Sequence, residues 1–157
     1  MEKIPITLVG YRQIQAEHKS LIKVDRPKII QDIAEARAHG DLKENAEYHA
    51  AKDKQGFIEG RIQKINFIIA NCQIIDVAKV DSEVVQFGAT VTYENLDTEE
   101  ETTWQIVGEE ESDINQGKIS FKSPIARALI GKSEGDDLII KIPKGSIEVE
   151  ITSVKYL

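Results

Sequence analysis

One unbroken spacing constrains this chain more than any other feature. Glu44, Tyr48, Ala51, Gln55, Ile58, Ile62, Ile65, Ile69 and Cys72 recur at alternating steps of four and three residues. That period is a coiled-coil seam, polar at its start and isoleucine-rich at its end. The matching stripe lies upstream and is less regular: Tyr11, Ile14, Leu21, Ile22, Ile29, Ile30, Ile33, Ala34 and Arg37. It is disturbed at Asp25-Arg26-Pro27, where proline removes a helical hydrogen bond. A kink or short break is expected there, with Asp25 free to cap the next helical segment. Each arm of about 30 residues would span about 45 Å.

Between the arms lies Ala38 to Lys52, A-H-G-D-L-K-E-N-A-E-Y-H-A-A-K. Gly40 suits a helix C-terminus that needs a left-handed residue. Asp41 reads as an N-cap, with Glu44 at N3. One helix therefore stops and another starts within a few residues, and two helices so joined run antiparallel. Asp41 and Glu44 then sit at the far end of a helical hairpin.

Downstream the pattern changes from helical to alternating. Ile74 to Lys79 reads as a connector or short strand. Phe87, Ala89, Val91 and Tyr93 share one strand face. Thr102 to Val107 reads as the paired strand, and Glu109-Glu110-Glu111 as a solvated loop. Lys118 to Phe121 is a short strand. Ser123-Pro124 signals a helix start, with serine as cap and proline at the first position. Leu138 to Ile142 and Ile147 to Val154 read as strands joined by Pro143-Lys144-Gly145. The expected fold class is α+β: a coiled-coil hairpin domain over 1–76, then a small antiparallel sheet domain with one short helix over 77–157.

Charge divides the same way. Met1 to Ile75 carries 12 basic and 10 acidic residues, net +2, and Asp76 to Leu157 carries 8 and 17, net −9. The acidic half is a poor general nucleic-acid binder, so contact with nucleic acid belongs on the N-terminal arm. No apolar run reaches the length of a membrane span. The start of the chain lacks a basic-then-apolar export pattern. Cys72 is the single cysteine, which excludes an internal disulfide and fits a reducing, cytoplasmic setting. His18, His39 and His49 share no ligand spacing with it.

Asp41 and Glu44 could hold one divalent cation between them, with water or phosphate oxygens completing the shell, as magnesium is usually bound. Such a half-site gains use beside a metal held by another protein, since two metals about 4 Å apart can cleave a phosphodiester. The same spacing is also that of a capping box, which needs no metal. Tyr48 reads as filler of the narrow seam, with stacking on a base as the other option. Lys43 and Asn45 could orient the tip.

The run from Ile33 to Gly60, with F-G-A-T-V-T (Phe87 to Thr92) and S-P-I-A-R-A-L-I-G-K (Ser123 to Lys132), resembles the Gre transcript-cleavage factors, of the GreA type. The resemblance spans essentially the whole chain. It implies an FKBP-like C-terminal domain. It also implies a partner, bacterial RNA polymerase, whose secondary channel receives the coiled coil. Asp41 and Glu44 match the family's acidic pair, which helps the polymerase hold its second Mg2+ and orient the attacking water. Arg37 and Lys52 would contact the nascent RNA 3′ end, Lys52 standing where the family often has arginine. The implied protein is a monomeric accessory factor, not itself an enzyme, with no cofactor in isolation. Two other readings remain: a channel-binding inhibitor without cleavage, and a prolyl isomerase using Phe87, Tyr93, Trp104 and Phe121. Fold analogy alone does not carry the second activity.

Overall fold

The computed structural model describes residues 3–40 and 45–157. The chain forms two compact units. One holds Tyr11–Cys72, and the other joins residues 3–10 to 73–157.

The first unit is built from α1 (Leu8–Ser20) from Tyr11 onward, α2 (Arg26–Arg37) and α3 (Ala46–Asn71). At 26 residues, α3 runs about 39 Å. From Tyr48 to Ile69 every seam residue is at least half-buried. Near the base the buried stripe widens to include Ile68 beside Ile69. Cys72 lies beyond the helix and opens a strand.

The expected break at Pro27 is absent, because the chain stays helical through a π turn, Leu21–Asp25. Arg26 N–H reaches back five residues to the Leu21 carbonyl. Pro27 follows closely on that π turn, an irregularity of the kind that lets a helix pass a residue without an N–H. Asp25 makes no side-chain cap hydrogen bond. The π turn adds a residue and rotates the stripe. Ile29, Ile33 and Ala36 are buried on α2, whereas Ile30 is 53% exposed and Ala34 faces solvent. The outgoing stripe therefore departs from the expected one in this stretch.

In the second unit, the short lead-in is itself a strand, β1 (Ile4–Thr7), paired with β2 (Cys72–Ile75). A five-stranded sheet comes next, built from β3 (Thr90–Asn95), β4 (Glu101–Val107), β5 (Lys118–Ser120), β6 (Asp137–Ile142) and β7 (Gly145–Lys155). Its order is β5-β4-β3-β7-β6. The sheet is mixed rather than wholly antiparallel: β5 lies parallel to β4, pairing Ile119 with Ile106. A parallel neighbour needs a crossover, and two 3-10 turns between Val107 and Lys118 supply it. Ser123 caps the short helix α4 (Pro124–Leu129), its hydroxyl accepting from Ala126 N–H at 3.2 Å. Ala126 and Leu129 join Val91, Ile106, Ile140, Val149 and Ile151 in the core.

Candidate functional site

The far end of the hairpin is assembled from the last turn of α2 and the first turn of α3. α2 closes with Ala38 N–H on the Ala34 and Glu35 carbonyls and His39 N–H on Ala36. Gly40 comes next at φ +129°, a region that side chains rarely enter. The cap of α3 is Asn45, not Asp41. Its Oδ1 accepts from Tyr48 N–H at 3.0 Å, while its Nδ2 donates to the Ala36 carbonyl at 2.5 Å. One side chain thus closes the start of α3 and ties it to the last turn of α2. The signal was legible, since an asparagine before an alanine-rich helical run is a preferred cap.

Tyr48 is half-buried against the cluster of Ile29, Ile33, Ile58 and Ile62. The Arg37 guanidinium lies over its ring, 5.7 Å from the centroid. Lys52 is exposed and donates to Gln55 Oε1 at 3.1 Å. The structure therefore gathers Arg37, Asn45 and Tyr48, with Lys52 a turn further along α3. Asp41, Lys43 and Glu44 lie outside the described residues. Among the described residues, no group of three or more His, Cys, Asp or Glu is placed to hold a metal. Replacing Asn45 with alanine should cost about 1 kcal/mol. That loss should appear as faster amide exchange at Tyr48, with the Ile62–Ile65 amides unchanged.

Two ion pairs across the hairpin escape a sequence reading, because periodicity does not report lateral partners. Arg26 meets Glu59 through two bonds of 2.7 and 2.9 Å. Arg61 meets Glu17 through two of 2.9 and 2.8 Å. Glu17 precedes the π turn and Arg26 lies just after it, so paired forks hold the arms on either side of the irregular segment. The hydrogen bond from Arg26 holds the Glu59 carboxyl below its usual range, and Glu59 in turn raises Arg26. A depressed carboxyl stabilises the fold above the ordinary carboxylate range and loses that contribution as pH falls through its folded value. The hairpin should therefore melt at lower temperature on acidification. Glu59→Gln should remove that part of the pH dependence, read by circular dichroism. Both side chains are about a third exposed, so solvent keeps the effect small.

In the sheet unit, Tyr93 is buried and accepts a hydrogen bond from Trp104 Nε1 at 3.0 Å. Phe121 packs on the core, edge-on to Phe87 at 5.7 Å between centroids. The aromatic residues considered for a peptide pocket thus fill the core or stack on one another. Glu109–Glu111 also departs from expectation. It forms a 3-10 turn, and the Glu111 carboxylate binds backbone and side-chain donors at the start of α1.

Comparison with known proteins matches both parts of this architecture. The family described as "Transcription elongation factor, N-terminal" matches residues 4–74. The family described as "Transcription elongation factor, GreA/GreB, C-term" matches residues 80–156. Transcription elongation factor GreA of Hyphomonas neptunium is 56% identical over 156 residues, covering 99% of each chain. Its counterpart in Francisella tularensis subsp. novicida is 54% identical, covering 99% of this chain and 98% of that one. Among solved structures, Thermus aquaticus Gfh1 aligns over 99% of both chains at 25% identity, with a TM-score of 0.45. A helical hairpin closed by an asparagine bridge, a five-stranded mixed sheet after it, and similarity along nearly the full length converge: the chain belongs to the GreA/GreB family of transcription elongation factors, and is of the GreA type.

Proposed function

We propose that this protein carries Asp41 and Glu44 into the secondary channel of bacterial RNA polymerase and switches on the polymerase's own cleavage of backtracked RNA. The observation that carries this reading is the Asn45 bridge between α2 and α3. It fastens the facing ends of two helices that are consecutive in the sequence on either side of Asp41 and Glu44, in a chain of the GreA/GreB family. A seam thin at this end and isoleucine-rich at the other suits a slender, stiff projection.

The residues divide the work. Asp41 and Glu44 supply carboxylate oxygens, a donor set that suits Mg2+ when the remaining ligands come from outside. Mg2+ held there would polarise a phosphate oxygen and lower the pKa of a bound water. Asn45 ties the start of α3 to the last turn of α2. Arg37 is oriented by the Tyr48 ring and presents its remaining donors to RNA phosphate. Lys52 adds a point charge on the returning arm.

The test is a stalled, backtracked elongation complex with end-labelled RNA, to which the protein and Mg2+ are added. Shortened RNA is expected. Binding without cutting would favour a channel-blocking inhibitor, and no binding would sink the reading altogether.

A further inference from the structure

The open edge of the five-stranded sheet carries a pattern that complements itself. β6 is the last strand in the order, so its side away from β7 has no neighbouring strand among the described residues. It pairs with β7 without a slip, from Asp137 on Glu150 to Ile142 on Gly145. Just before it, Ile151 N–H donates to the Asp136 carbonyl at 2.9 Å. Residues of an antiparallel ladder alternate between bonded and non-bonded pairs. Leu138, Ile140 and Ile142 therefore direct their backbone groups to β7, and Asp137, Ile139 and Lys141 direct theirs to the open edge. The same three side chains are exposed, whereas Ile140 is buried.

The exposed order is acid, aliphatic, base. With a second copy of β6 laid antiparallel and centred on Ile139, Asp137 falls opposite Lys141 of that copy, and Ile139 falls opposite its own equivalent. All of these residues already turn their N–H and C=O groups outward, so each pair can exchange both of its hydrogen bonds. A shift of one residue would set outward groups against inward ones, and a shift of two would lose both charged pairs. Charges on an edge strand ordinarily deter pairing. Here two opposite charges, equidistant from Ile139, attract in this register.

The rest of the sheet face adds to that attraction. Asp137 lies opposite Glu150, Glu150 opposite Glu94, and Glu94 opposite Glu101. Like charges directly opposite destabilise a sheet. This acidic row crosses four strands and ends at the open edge, where a lysine from a second copy would meet it. Glu148, beside Ile139 on β7, would stay three strand spacings from its equivalent, about 14 Å. At physiological salt that repulsion is largely screened, whereas the Asp137–Lys141 contact is not.

We infer that the β6 edge is a self-association surface, through which two copies of this chain join their sheets about a twofold axis at Ile139. Resemblance to the Gre factors implies a monomer, and this edge adds a dimer that forms as concentration rises.

Sedimentation velocity of the full-length protein over a range of concentrations tests it. The mass should rise from one copy toward two. Asp137→Lys sets base against base across the axis, and Lys141→Asp sets acid against acid. Each variant alone should associate at least about tenfold more weakly. Within one copy these positions face Glu150 and Ser146, so neither change adds a like-charge pair with β7. An equimolar mixture of the two variants should associate about as well as the wild type, because every base then meets an acid. On association the amides of Asp137, Ile139 and Lys141 should exchange about tenfold more slowly, with those of Leu138 and Ile140 unchanged. A wild-type protein that stays a single copy throughout would overturn the inference and leave the edge to a strand of another protein. Dimers that survive both single swaps would overturn it by placing the contact elsewhere, and so would a mixture that stays apart or protection that skips the three outward amides.

Discussion

Alanine at Asp41 or at Glu44 should lower the cleavage rate of a backtracked complex by roughly 10²-fold, the scale of losing one charge-stabilising group at a reaction centre. Affinity for polymerase should change little, for a structural reason. The next helix, α3, is capped by Asn45, and the same side chain holds Ala36. Neither carboxylate is that cap, so removing one takes away charge without unravelling α3. Had Asp41 been the cap, the same substitution would have frayed the arm and confounded the experiment. Asp41→Asn and Glu44→Gln keep the shape and should lose nearly as much rate as alanine. Cleavage assays paired with a polymerase-binding measurement separate the two effects. A parallel loss of binding and rate would mean that the loop holds the complex together instead of serving its chemistry.

The largest stability effect should come from adjacent residues on one strand. Ile140 is 1% exposed and sits in the sheet core, whereas its neighbour Ile139 is 65% exposed. Successive side chains of a strand point to opposite faces. Ile140→Ala should therefore cost about 2–5 kcal/mol, from lost burial and the cavity left behind. Ile139→Ala should stay within about 0.5 kcal/mol. In a unit of this size each kcal/mol shifts the midpoint by roughly 4–8 °C. Thermal melts of the two full-length variants, followed by near-ultraviolet signals from Trp104 and Tyr93, should separate widely. Similar melts would mean that the register of β6 on β7 is wrong by one residue.

What the sequence made legible was whatever repeats. The seam on α3 can be read because its period persists along a helix of 26 residues. The alternation along β7 puts Val149 and Ile151 inward, where both are fully buried. Ser123 and Pro124 mark the start of α4 because cap chemistry is local. The misses have two causes: local irregularity that a regular period does not register, and partners distant along the chain. Periodicity extrapolated from Ile14 does not register the extra residue of the π turn, so it puts Ile30 and Ala34 on the wrong face. Three consecutive glutamates read as solvated because Thr7, the partner of Glu111, lies 104 residues away. The parallel pairing of β5 with β4 depends on a crossover that strand pattern does not encode. At the tip, Asp41 and Glu44 have the right spacing for a capping box, and only the position of Asn45 shows that α3 begins later. Their candidacy comes from family resemblance and from their place in the sequence between α2 and α3, not from any contact among the described residues.

The claim that these two carboxylates complete a metal site inside the polymerase is tested most directly by the Mg2+ dependence of cleavage. The Mg2+ concentration for half-maximal cutting of a backtracked complex is measured alone, with the wild-type protein, and with Asp41→Asn. The wild-type protein should lower it, and Asp41→Asn should return it toward the value of polymerase alone. A wild-type protein that speeds cleavage while leaving the Mg2+ requirement unchanged would contradict the account.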